Sequence, residues 1–154
     1  MPLRIGTEMP SLDGATEWLN GEIGRDDLIG SPTLIHVWSV SCYICKNNLP
    51  TLKQWKETYG PQGLKVVAVH MPRAEDELDV ARVRAATQEF AIDEPCAVDN
   101  EHTLGDRFET ASLWPYYLLF DAEGKMKTRA AGNAGLTTVE TALKRLMERE
   151  TVAV

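Results

Sequence analysis

The stretch Trp38-Ser39-Val40-Ser41-Cys42-Tyr43-Ile44-Cys45 joins two segments of different periodicity. Before it, the apolar run at residues 33–38 predicts a buried parallel strand. After it, apolar residues recur at steps of three and four as far as Tyr59, which predicts a helix. We expect Gly60 to end this helix as a left-handed cap. The two cysteines therefore lie where a strand turns into a helix.

This position favours redox chemistry at Cys42 and Cys45. The first turn of a helix carries unpaired N–H groups and the positive end of the helix dipole, so a thiol there ionises more readily than an ordinary thiol. Cys45 lies one turn deeper on the same face, within reach of a disulfide to Cys42. A thiolate that attacks a substrate disulfide needs a second thiol to release the mixed intermediate. The sequence thus predicts Cys42 as the nucleophile and Cys45 as the resolving thiol.

A structural disulfide and a zinc site are the alternative interpretations of the same pair. Zinc is disfavoured because the chain has no second Cys-x-x-Cys and no His-x-x-x-His. A static disulfide is disfavoured because so short a loop gains little chain-entropy stabilisation.

At these residues the chain resembles the thioredoxin superfamily and, within it, the redoxin branch of TlpA- and ResA-like thiol-disulfide oxidoreductases. Further segments match in order: Trp18-Leu19-Asn20-Gly21, Leu28-Ile29-Gly30-Ser31-Pro32, Ala97-Val98-Asp99-Asn100, Leu113-Trp114-Pro115-Tyr116 and Asp121-Ala122-Glu123-Gly124. The same order is similar to redoxin domains of DipZ-type membrane proteins and NHL-repeat proteins. The resemblance covers about residues 4–148. It implies one α/β domain over residues 1–154: a thioredoxin-like three-layer sandwich, with a central mixed β-sheet flanked by helices and the extra strand–helix insertion of the redoxin branch.

The resemblance also implies further site residues. Thioredoxin-fold proteins carry a cis-proline that faces the cysteine pair and precedes a strand, and Pro115 stands before the apolar run 116–120; an ordinary turn proline is the alternative. His36 occupies the position of a buried acid in thioredoxins, which makes it a candidate proton acceptor; the alternative is a neutral core histidine. Asn48 replaces a glutamate of many ResA-like proteins. We expect a substrate to contact four residues around the pair: Trp38, Tyr43, Ile44 and Trp114.

Several other segments carry structural expectations. The extra strand–helix unit is predicted to have its helix at 76–91. His70 follows the second predicted parallel strand, at 64–69, and lies either near the cysteines or simply at a strand end. Cys96 is predicted to pack as a small apolar residue, with a third redox role as the alternative. We expect a loop at 132–135 and a capping box at 137–140 that opens the last helix.

Composition limits the classes of function. A chain of 154 residues with a net charge of -7 suits one domain and disfavours binding to nucleic acid or anionic membranes. No apolar run approaches the roughly 20 residues of a membrane helix, and residues 1–6 lack the apolar core of a signal peptide. We therefore expect a cytoplasmic protein. Because the TlpA- and ResA-like proteins are usually exported, an exported protein whose sequence has been shortened is the alternative.

These observations predict a thiol-disulfide oxidoreductase that exchanges its dithiol or disulfide with protein thiols or disulfides and is recycled by a redox partner. No cofactor is implied, since the electrons reside on the two sulfurs. The direction of electron flow and the oligomeric state stay open.

Three other functions compete with this prediction. A peroxiredoxin-like thiol peroxidase is disfavoured because Ser39 and Ile35 replace the Thr and Pro of that pattern. A Sco-like copper-binding module would need His70 or His102 to reach cysteines that are spaced differently from those of Sco proteins. A recognition domain whose cysteines merely respond to oxidation predicts no turnover.

Overall fold

The computed structural model describes residues 2–152, in which six strands form one sheet and five helices flank it. The strands are β1 (Glu17–Leu19), β2 (Thr33–Trp38), β3 (Lys65–His70), β4 (Cys96–Val98), β5 (Tyr116–Phe120) and β6 (Met126–Ala131). The helices are α1 (Arg25–Leu28), α2 (Tyr43–Tyr59), α3 (Val80–Glu89), α4 (Thr103–Arg107) and α5 (Gly132–Val152). Two short 3₁₀ turns lie at Gly60–Gln62 and Glu75–Leu78.

The sheet is mixed, as predicted, and β2 lies near its centre. The strand order is β1-β4-β3-β2-β5-β6. Strands β2, β3 and β4 run parallel to one another, whereas β5, β6 and β1 pair antiparallel with their neighbours. All six residues of β2 are buried, as expected for a strand covered on both faces.

Side chains alternate between the two faces of the sheet, so each face has its own core. One face packs against α1 and α4 through Leu28, Leu104 and Phe108, the residue that directly follows α4. The other face packs against α2, α3 and α5. This is the expected three-layer arrangement. His36 and His70 point toward the second face, because each lies an even number of residues from an apolar neighbour that packs there.

Helix α2 ends differently from the prediction for Gly60. Gly60 has φ -54° and ψ -49°, which is right-handed helical backbone, so it is not a left-handed cap. The chain instead continues through one 3₁₀ turn, since Pro61 fits the first turn of a helical segment. Gly63, with φ 109°, makes the left-handed turn that leads into β3.

The inserted helix is shorter than the predicted 76–91. A 3₁₀ turn occupies Glu75–Leu78, and α3 begins only at Val80. Asp79 caps it, because its carboxylate accepts a hydrogen bond from the Ala81 N–H at 3.0 Å. The acidic residues before Val80 therefore belong to a separate turn.

Helix α5 begins at Gly132, so the predicted loop at 132–135 and the start at the 137–140 capping box are wrong. Gly132 has φ 75°, which lets the chain turn from β6 straight into the helix. The Thr137 carbonyl accepts a bond from the Thr141 hydroxyl within the helix, at 3.2 Å. Val139 and Leu143 lie on the inward face of α5 and are fully buried.

Candidate active site

The two cysteines form a disulfide at the amino-terminal end of α2. Cys42 is the residue that caps this helix, and its Sγ accepts a hydrogen bond from the Cys45 N–H at 3.1 Å. The two Cα atoms are 5.2 Å apart. The same N–H group and the helix dipole favour negative charge on the Cys42 sulfur once the bond is reduced.

A groove of about 490 Å³ opens beside Cys42. Its lining comes from the start of α2, from the segment after β3 and from the segment before β5: Tyr43, Ile44, Arg73, Ser112, Leu113 and Trp114. Tyr43 is 74 % exposed and Leu113 is 49 % exposed, so two large apolar surfaces flank a nearly buried sulfur. The groove can hold an extended polypeptide against the disulfide.

The Trp114–Pro115 peptide bond is cis, as expected at this position. Trp114 packs against the cluster of apolar side chains that contains Cys42 and Cys45. Its indole N–H donates to the Met71 carbonyl at 2.8 Å, which holds the ring against the segment after β3. Pro115 is buried and directly precedes β5.

Trp38 lies beneath the disulfide, not in the groove. Its side chain is 2 % exposed and belongs to the same apolar cluster as both cysteines. Its ring meets the His70 ring edge to face, with 4.8 Å between the ring centres. Of the four residues expected to contact a substrate, Tyr43, Ile44 and Trp114 line the groove, and Trp38 supports the pair from inside.

His36 forms part of a buried ionic chain beneath α2. Its Nε2 lies 2.6 Å from Glu94 Oε2, and Lys56 Nζ lies 2.7 Å from Glu94 Oε1. Burial alone raises the pKa of Glu94, but the hydrogen bonds and charges of His36 and Lys56 outweigh it and hold that pKa at about 2. Glu94 is therefore ionised and can only accept, so His36 Nε2 is the donor in this contact.

Asn48 fills the place of the acid found in many ResA-like proteins. Its Nδ2 donates to the Tyr117 hydroxyl at 2.8 Å, and both side chains are buried. Burial raises the pKa of Tyr117 to about 12, and the bond from Asn48 offsets only part of this. This pair is neutral at physiological pH and supplies no base.

The structure adds Arg73, which sequence reasoning missed, and decides between the two expectations for His70. Arg73 lies over the Trp114 ring, 5.7 Å from its centre, and its Nη1 donates to the Ser41 carbonyl at 3.3 Å. His70 Nε2 accepts from the Val40 N–H at 3.2 Å, so His70 does lie beside the cysteine turn. The available signal was that both residues lie at or just after the carboxyl end of β3, where sites of parallel sheets gather.

Cys96 lies in the same apolar cluster as the cysteine pair, but its thiol is unsuited to exchange. It is fully buried in β4, and burial raises the pKa of its thiol to about 12. It packs as a small apolar residue, as predicted.

Two further observations bear on ligands and membranes. Among residues 2–152, no three His, Cys, Asp or Glu side chains come together as metal ligands do. In the same part of the chain, every helix is too short or too polar to cross a bilayer.

Comparison with known proteins agrees with this site. The model of the AhpC/TSA family matches residues 5–129. The thiol-disulfide oxidoreductase YkuV of Bacillus subtilis is 41 % identical over 146 residues, covering 94 % of this chain and 97 % of that protein. The solution structure of a thioredoxin-like protein in its oxidised form is 40 % identical, with a TM-score of 0.86 over 96 % of this chain and 99 % of its own.

The fold extends to more distant proteins. A Chlorobium tepidum protein, described as a candidate thiol:disulfide interchange protein DsbE, is 20 % identical and superimposes with a TM-score of 0.80. That alignment covers 94 % of this chain and 99 % of the other.

Proposed function

The chain belongs to the AhpC/TSA family and is a thiol-disulfide oxidoreductase, and we propose that Cys42 is its attacking sulfur and Cys45 its resolving sulfur. The observation that carries this assignment is the position of Cys42 as the cap of α2, with the Cys45 N–H directed at its Sγ. Cys45 lies one turn further into the helix and away from the groove lining. A substrate sulfur in the groove therefore meets Cys42 first.

The exchange proceeds in two balanced steps. The Cys42 thiolate attacks one sulfur of a substrate disulfide, the substrate S–S bond breaks, and the other substrate sulfur leaves as a thiolate. Cys45 then loses its proton and attacks the Cys42 Sγ, which forms the Cys42–Cys45 bond and releases the second substrate sulfur. The substrate gains two electrons and two protons, and the cysteine pair is oxidised by two electrons. The reverse sequence oxidises a substrate dithiol.

We propose that His36 accepts the proton that the Cys45 thiol loses. The support is that His36 lies on the sheet face covered by α2, the helix that carries Cys45, and that Glu94 holds its ring through Nε2. Lys56, which is half-buried, continues the chain of charges from Glu94 toward the surface.

Protein thiols and disulfides are the substrates, and we propose that they bind as an extended segment across the groove at Cys42. The apolar surfaces of Tyr43, Leu113 and Trp114 suit a polypeptide better than a small polar disulfide. A separate redox partner restores the starting redox state of the pair after each turnover, because the pair exchanges only two electrons.

We also propose that the protein acts in the cytoplasm. A single unpaired thiol, Cys96, suits a reducing compartment better than an oxidising one. Fractionation of cells that express the protein tests this, since recovery outside the cytoplasm contradicts it.

A redox titration tests the proposed function directly. The Cys42–Cys45 pair is equilibrated in graded thiol/disulfide buffers, and we expect one reversible two-electron couple together with turnover of a protein disulfide. Cys42→Ser should lose both, whereas Cys45→Ser should keep the first step and accumulate a mixed disulfide. If the Cys42→Ser protein still turns over disulfides, the assignment is wrong.

Two further measurements on the same protein distinguish the competing functions. Peroxide consumption faster than disulfide exchange would favour a thiol peroxidase. Stoichiometric copper binding by the reduced protein, with no reversible couple, would favour a copper-binding module.

A further inference from the structure

The turn that precedes Cys42 rests on two buried ionisable side chains that the exchange steps do not use. His70 comes from the end of β3, and Glu77 comes from the 3₁₀ turn that follows. Both side chains are 0 % exposed. Full burial of a carboxyl group costs free energy, so its retention beside a reactive cysteine calls for a physical explanation.

Three hydrogen bonds join the segment at residues 70–77 to the turn before Cys42. Glu77 Oε2 accepts a hydrogen bond from the Ser41 hydroxyl at 2.8 Å. His70 Nε2 accepts from the Val40 N–H at 3.2 Å, and Arg73 donates to the Ser41 carbonyl at 3.3 Å. The two residues immediately before Cys42 are therefore held by one segment, which extends from the end of β3 into the 3₁₀ turn.

No cation is paired with Glu77 inside this cluster. Burial lowers the pKa of His70 to about 4, more than the nearby carboxylate raises it, so the imidazole is neutral at pH 7. The acceptor role of Nε2 toward Val40 fits this neutral form. Glu77 Oε1 lies 3.6 Å from that nitrogen and has no hydrogen-bond partner among the described residues.

We propose that Glu77 is a positioning residue for the nucleophile: through Ser41 it holds the turn that carries Cys42, and its negative charge makes the cysteine pair more reducing. The proposal rests on the proposed function, since it concerns the same pair. Reduction of the disulfide creates a thiolate at Cys42, and a nearby carboxylate disfavours that charge but leaves the neutral disulfide unaffected. The oxidised form is thereby favoured, which makes the reduction potential more negative.

The other titratable groups around Cys42 act differently. His70, on β3, is uncharged at pH 7, because burial lowers its pKa. Arg73, in the groove, favours the thiolate, but it is exposed and its effect is weakened by water and salt. Glu77 thus supplies a fully buried carboxyl group at this turn.

Two variants separate the charge of Glu77 from its hydrogen bond. Glu77→Gln keeps an oxygen that can accept the Ser41 hydroxyl but removes the charge. Ser41→Ala, at an exposed position, removes the hydrogen bond and keeps the charge. Glu75→Gln is the matched control, because it removes the same charge from an exposed position on the same 3₁₀ turn.

The readouts are the reduction potential and the rate at which iodoacetamide alkylates Cys42 between pH 5 and 9. We expect Glu77→Gln to have a less negative potential and to be alkylated about three to ten times faster at pH 6, where the thiolate fraction limits the rate. Ser41→Ala should keep the potential near that of the wild type but exchange with protein disulfides several times more slowly. Glu75→Gln should match the wild type in both.

Each part of the proposal can fail separately. A wild-type alkylation profile and potential in Glu77→Gln overturn the charge effect, and a wild-type exchange rate in Ser41→Ala overturns the positioning effect. If Glu77→Gln does not fold, the Ser41→Ala result still decides the positioning role. Absence of a reversible couple in the wild type would instead contradict the proposed function.

Discussion

Replacement of His70 by Asn tests the buried neutral state of this imidazole. Burial lowers the pKa of His70 from 6.5 to about 4, whereas in the unfolded chain it titrates as an ordinary histidine. Between these two values the unfolded state binds a proton that the folded state does not. The free energy of unfolding therefore falls on acidification, by at most about 1.4 kcal/mol per pH unit.

The interval between these two pKa values sets the size of the loss of stability. Stability from His70 is complete above pH 6.5 and is lost as the pH falls toward 4. From pH 7 to pH 5 we expect the wild type to lose about 2 kcal/mol more than the variant. The pH interval ends above the pKa of ordinary carboxyl groups. His36 and His102 are present in both proteins, so their contributions to the free energy of unfolding cancel in the difference.

Urea unfolding of the oxidised protein, followed by tryptophan fluorescence at pH 7, 6 and 5, gives the required free energies. Asn is a suitable replacement because its side-chain oxygen can still accept the Val40 N–H. If the free energies of unfolding of the two proteins fall equally from pH 7 to pH 5, burial does not hold His70 neutral.

Three further predictions concern single residues. Because burial raises the pKa of Cys96 to about 12, we expect the native oxidised protein to leave a thiol reagent unreacted until it is unfolded; rapid labelling of the folded protein would contradict this. The pKa of Glu94 is held at about 2, so its contribution to stability is present above about pH 4.5 and lost toward pH 2. Over that range the melting temperature of the wild type should fall more steeply than that of Glu94→Gln, and equal slopes would argue against the buried ion pair. Leu143→Ala, at a fully buried position of α5, should lower the free energy of unfolding by about 2–5 kcal/mol. The control Leu113→Ala, at an exposed position, should change it by less than about 0.5 kcal/mol. Equal effects of the two substitutions would mean that the α5 face is not packed as described.

Local patterns accounted for the elements nearest the cysteines. The apolar run before them is β2 with the predicted bounds, and the helical periodicity after them is α2. The cis bond at Pro115 was implied by the resemblance to thioredoxin-fold proteins, which carry such a proline before a strand. Each of these features depends on residues adjacent in the chain, and such patterns report local structure well.

Helix ends were predicted less well, because several residues compete for the same role. Gly60 and Gly63 both follow α2, and only the path of the chain into β3 decides that Gly63 takes the left-handed conformation. The Thr137–Glu140 pattern is typical of a helix start, yet α5 already begins at Gly132. Capping preferences are worth about 1 kcal/mol, and tertiary packing overrides them.

The sequence by itself determined the chemistry of this protein, since two cysteines at a strand–helix junction define a redox pair wherever the rest of the chain lies. Only the tertiary structure decided what surrounds that pair. Glu94 is 58 residues from His36 in the chain, and Glu77 is 36 residues from Ser41, yet each pair is in hydrogen-bond contact. Such contacts depend on which strands are neighbours and on how each is aligned with the next, and no local periodicity contains that information.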